Sequence, residues 1–79
     1  MKTENVGMAA FRILAETGGA TDYVVQRYNS LYHLFAVNLD KQVAYYLRER
    51  RGDYKTWTSL DRAAAFLDSI GVIEFTVRS

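Results

Sequence analysis

Six of the ten basic residues in this 79-residue chain fall between positions 41 and 62: Lys41, Arg48, Arg50, Arg51, Lys55 and Arg62. Only Glu49, Asp53 and Asp61 oppose them there. A guanidinium holds a phosphate through two parallel hydrogen bonds, and a tyrosine ring offers a stacking surface to a base. A β-surface that interleaves the two is therefore chemically equipped for nucleic acid. Arg27, Tyr32, Tyr46, Arg48, Arg50, Arg51 and Lys55 are the residues we expect to touch a ligand. Tyrosine and arginine are also enriched at protein interfaces, so a protein is the competing ligand. The plainest alternative is a solvated hairpin tip whose charges keep a sheet edge soluble.

Other chemistry is sparse. His33 is the only histidine, with Ser30 and Asp40 near it in sequence. A catalytic triad needs a third group to orient the base, and nothing identifies one, so His33 is expected to be a satisfied, half-buried strand residue. One histidine, no cysteine and scattered carboxylates give no metal-ligand spacing. We expect no enzyme activity, no metal and no cofactor. Arg51-Gly52-Asp53 matches an integrin-read tripeptide, but the glycine is explained by a turn. Gly18-Gly19 lacks phosphate-loop spacing and reads as a helix stop. Trp57 directly precedes a helix and is expected to pack beneath it.

The elements that must position these residues read as α-β-β-β-β-α-β. Val6, Ala10, Ile13 and Leu14 recur at helical spacing over 5–17, with Asn5 as N-cap and Gly7 a weak interior position. After Gly18-Gly19 the period becomes two. Tyr23–Tyr28, Leu31–Asn38, Gln42–Arg51 and Tyr54–Trp57 read as strands, separated by turns at Asn29-Ser30, near Leu39-Asp40-Lys41, and at Gly52-Asp53. The helix from Leu60 to Ile70 has Thr58 or Ser59 to cap it, Asp61 in its first turn, and Gly71 to close it with Val72 against Leu67. Val72–Val77 is a last strand. The fold class is α+β: a single domain over 1–79, an antiparallel sheet packed on the C-terminal helix, the N-terminal helix alongside.

Parity assigns the faces of the central hairpin. A three-residue turn places Leu31, His33, Phe35 and Val37 beside Val43, Tyr45 and Leu47 as a core face. The other face then carries Tyr32, Leu34, Ala36, Ala44, Tyr46, Arg48 and Arg50, partly covered by the N-terminal helix or a second subunit. A two-residue turn would instead mix core with charge.

Size and composition limit the rest. A domain this small has a marginal core, and without cysteine it has no disulfide to add, so 49% hydrophobic content and eleven aromatics must supply the burial. A homodimer is a further way to bury surface. A net charge of +1 does not mark a strongly basic nucleic-acid binder. The N-terminus lacks a basic segment followed by an apolar run, and no apolar stretch suffices to span a membrane, so a cytoplasmic location is expected.

The stretch from Tyr45 to Gly71 joins a strand ending in basic residues, a glycine turn, a Trp-Thr-Ser-Leu-Asp helix start, an alanine-rich helix and a glycine. It resembles small accessory proteins of bacterial plasmids and integrated mobile elements, some of them partition-associated. That resemblance implies a mobile-element protein binding DNA or a partner such as a partition ATPase. Three strands followed by a helix are also similar to the N-terminal DNA-binding domains of phage-type integrases, which lay a sheet in the major groove. There Arg27, Tyr46, Arg48 and Arg50 would be the reading residues, while the first helix and last strand fall outside the pattern. The expected function is a small non-enzymatic binding module, contacting DNA or a protein through the basic hairpin. The alternative is a homodimeric or inhibitory protein that blocks a partner's surface and binds no nucleic acid.

Overall fold

The computed structural model describes all 79 residues. The chain runs β1 (Lys2–Val6), α1 (Met8–Thr17), β2 (Asp22–Tyr28), β3 (Leu31–Asn38), β4 (Val43–Leu47), β5 (Thr56–Trp57), α2 (Leu60–Ser69) and β6 (Thr76–Arg78). It is an α+β domain, with one strand more than expected. β1 precedes the first helix, which begins at Met8 and not at Asn5. Gly7 is the N-cap, and Asn5 belongs to the strand. The polar run Lys-Thr-Glu-Asn carries no apolar alternation, because β1 is an edge strand exposed at every residue before Val6.

The sheet is mixed, where an antiparallel one was expected. Its order is β1-β4-β3-β2-β6, with β5 pairing β3 beside this path. β1 lies parallel to β4, and β6 parallel to β2. α1 carries the chain across the sheet from β1 to β2, and α2 from β5 to β6; each helix joins two strands that run in the same direction, as a crossover must. The last strand is shorter than Val72–Val77, because only Thr76–Arg78 reaches the free edge of β2.

The local signals at both ends of α2 and at the β2–β3 hairpin are realised. Ser59 Oγ accepts from the Arg62 amide at 3.2 Å, capping α2. At its other end Gly71, at φ 86°, lets the Val72 amide reach Leu67 O at 2.9 Å and its own amide reach Asp68 O at 3.0 Å. This is the Schellman closure, and Val72 is buried by it. Asn29 and Ser30 both take positive φ, giving the two-residue turn that matches strand twist.

The β3–β4 connection differs from expectation. Four residues, Leu39 to Gln42, link Asn38 to its partner Val43, and Gln42 adopts φ 54°. Asn38 stabilises the turn, donating from Nδ2 to Gly19 O at 3.0 Å and accepting the Lys41 amide on Oδ1 at 2.9 Å. The even length pairs Phe35 with Tyr46 and Val37 with Ala44, so β4 keeps its expected faces, with Leu47 in the main core, and only the faces of β3 are exchanged. Leu34 and Ala36 face the helices. They join Phe11, Val25, Leu47, Ala63, Leu67 and Val72 in the main core. Parity misled because β3 is apolar on both sides, so alternation within it does not say which side meets the helices. Trp57 packs against Phe66 of α2, ring centroids 5.1 Å apart, as its position implied.

Both helices occupy the Leu34 side. The opposite side of the sheet carries a smaller cluster of Val24, Phe35, Val37 and Ala44 with Tyr46 packed on it, and no helix residue belongs to it.

Candidate nucleic-acid interface

After Tyr46 the chain leaves β3, makes an arm, and returns as β5 to take up the same edge of β3. Arg48 and Tyr54 form an antiparallel bridge across the arm, and the Lys55 amide donates to Leu47 O at 3.1 Å. The Glu49 amide donates to Asp53 O, the Gly52 amide to Glu49 O, and Gly52 turns at φ 89°. The arm is therefore a tight hairpin with Arg50 and Arg51 at its tip.

Arg48 braces this hairpin. Its Nε donates to Asn5 Oδ1 of β1 at 3.0 Å, and a terminal nitrogen donates to Gly52 O at 3.1 Å. Its guanidinium lies 3.9 Å from the centroid of Tyr54, a cation–π contact. Tyr54 in turn stacks on His33 at 4.2 Å. Tyr28, Tyr46 and Phe35 complete an aromatic cluster around that histidine. His33 is more deeply buried than expected, at 4% exposure, and not satisfied, for Nδ1 has no hydrogen-bond partner. Burial first, and the Arg48 charge second, push its pKa below the ordinary imidazole value. A neutral ring suits a stack beneath a guanidinium-capped tyrosine.

The expected contact residues are thus divided. Tyr46 and Arg48 share the helix-free face. Register places Arg27 opposite Tyr32 on the other face, where Tyr32 packs against the main core. The reason is the even turn: one residue of register moves every side chain of β3 across the sheet relative to β4. Arg48 is occupied as a structural brace. Lys55 forms the chain's one ion pair, with Glu49 at 3.7 Å, and lies 5.6 Å from the Trp57 ring. Arg50 and Arg51 remain exposed without a carboxylate partner.

An open groove separates the arm from the start of α1. Gly7, Met8 and Ala9 line one side, and Arg48, Arg50 and Lys55 line the other, with Glu49 among them. The α1 N-terminus has neither a side-chain cap nor an acidic residue in its first turn. No side chain of α1 itself offsets its partial positive charge, which adds to that of the arm. No local signal announces this juxtaposition, which depends on β1 running parallel to β4. No three metal-ligating side chains converge anywhere in the chain, and no helix is long and apolar enough to cross a membrane.

Comparison of the chain with protein-family models, with curated proteins and with solved structures gives no significant match in any of the three.

Proposed function

We propose that this protein is a small non-catalytic binding module that grips the phosphate backbone of a nucleic acid with the Arg48–Lys55 arm. The observation that carries the reading is the pair Arg50 and Arg51: exposed, free of carboxylates, and held out on a hairpin that Arg48 ties to β1. The groove beside the arm adds main-chain amides of α1 on the same side. Phosphate contacts of this kind position a duplex without reading its bases. The setting implied by the mobile-element resemblance would make plasmid or integrated-element DNA the ligand.

Binding of random duplex DNA, measured by fluorescence anisotropy at two salt concentrations, tests this. Two phosphate contacts predict a slope of log affinity on log salt of about −1.8 from Arg50 and Arg51 alone. Arg50→Ala with Arg51→Ala should remove that part of the slope. Binding indifferent to both salt and the double substitution would contradict the reading.

A specific observation favours a second reading. The helix-free sheet face, where Tyr46 packs on Phe35 with Val37 and Ala44 beside it, is apolar and has no helix over it. A protein whose surface is blocked by that face is the alternative, and substitutions at Tyr46 rather than at the arm tip would then abolish activity.

A further inference from the structure

β1 is one of the two free edges of the sheet, β6 being the other, and its residues Lys2 to Asn5 are all exposed. In a parallel ladder, alternate residues turn both main-chain groups toward the neighbouring strand and the residues between turn theirs away. The Lys2 amide donates to Gln42 O at 3.0 Å, and Val6 O accepts the Arg48 amide at 2.9 Å. Lys2, Glu4 and Val6 therefore face β4, and Thr3 and Asn5 direct their N–H and C=O groups outward. An edge with unpaired main-chain groups is a template for another strand.

The side chains decide which strand fits. For two copies related by a two-fold axis, the outward groups allow pairing about Lys2, Thr3, Glu4 or Asn5. Pairing about Asn5 sets Glu4 across from Val6 and forms no charge pair. Pairing about Lys2 sets lysine against lysine, and pairing about Glu4 sets glutamate against glutamate. Pairing about Thr3 sets Lys2 across from Glu4 of the second copy, twice. Those positions are the non-hydrogen-bonded ones, where facing side chains approach most closely. Thr3 then exchanges both its hydrogen bonds with Thr3 of the second copy. Only this register sets opposite charges face to face.

We propose that the chain forms a two-fold dimer by antiparallel pairing of β1 with β1 of a second copy, in register about Thr3. The two sheets merge into one, with all four helices on one side and both helix-free faces on the other. The inference does not rest on nucleic-acid binding.

Sedimentation equilibrium of the full chain tests it through charge exchange. Lys2→Glu alone and Glu4→Lys alone should each weaken dimerisation by at least about tenfold, since both convert two attractive pairs to repulsive ones. An equimolar mixture of the two variants should restore it, because the acidic positions of one then face the basic positions of the other. The chain carrying both substitutions should dimerise as the parent does. Unchanged circular dichroism of each variant establishes folding. A parent chain that stays monomeric at every concentration, or a mixture no more dimeric than its components, would overturn the proposal.

Discussion

His33 shows how one side chain can bear on stability without any part in catalysis. Its Nδ1 is buried unpaired, its ring is stacked on Tyr54, and its protonated form is disfavoured by burial and by Arg48. The folded pKa is therefore below the unfolded value of about 6.5. Between the two values the unfolded chain binds more protons, so stability falls as pH falls through that window, by at most about 1.4 kcal/mol per pH unit. Above the unfolded value the contribution is complete. His33→Phe keeps the stack and removes the proton site. Thermal denaturation from about pH 7 to about pH 5 should show a melting temperature that declines less for the variant than for the parent. Equal declines would mean that His33 does not govern the acid limb. The residue types were legible from the sequence here, but the environment was not: nothing local says that Tyr54, six residues past Arg48 and bridged to it across the arm, would close over His33.

The arm is the element on which the functional reading turns. Arg48 joins β1, the arm's own turn and the Tyr54 ring, so three contacts converge on one guanidinium. Arg48→Ala removes two hydrogen bonds and a cation–π contact at a partly exposed site, and we expect a loss of about 1–2 kcal/mol in global stability. Amide exchange over Glu49–Asp53 should accelerate more than exchange in β3, because the arm loses its tether while the core keeps its packing. Uniform acceleration would show that the arm is not an independently braced unit. The sequence revealed the hairpin itself through Gly52-Asp53, and revealed α2 through Ser59, Asp61 and Gly71, since turns and caps are local events. It concealed β1, whose Lys-Thr-Glu-Asn residues show no buried face. It also concealed the β3–β4 register, since Leu34 and Phe35 are equally apolar and only long-range packing chooses between them.

For the molecule as a whole, the parallel pairing of β1 with β4 has the widest consequences. It brings the uncapped start of α1 beside the arm, supplies Asn5 to Arg48, and leaves a self-complementary edge outward. The basic surface that remains is smaller than the seven-residue set expected from sequence, because Tyr32 serves the core, Arg48 braces the arm and Lys55 pairs with Glu49. What is left for a phosphate backbone is the arm tip with the adjoining groove, on one end of the sheet. Titration of the isotope-labelled chain with a short random DNA duplex, followed by amide and arginine side-chain NMR shifts, tests this placement most directly. The account predicts perturbations concentrated at Arg50, Arg51 and Gly52 and at the Met8 and Ala9 amides. Perturbations centred on Phe35, Val37 and Tyr46, or none at DNA concentrations well above the protein's, would contradict it.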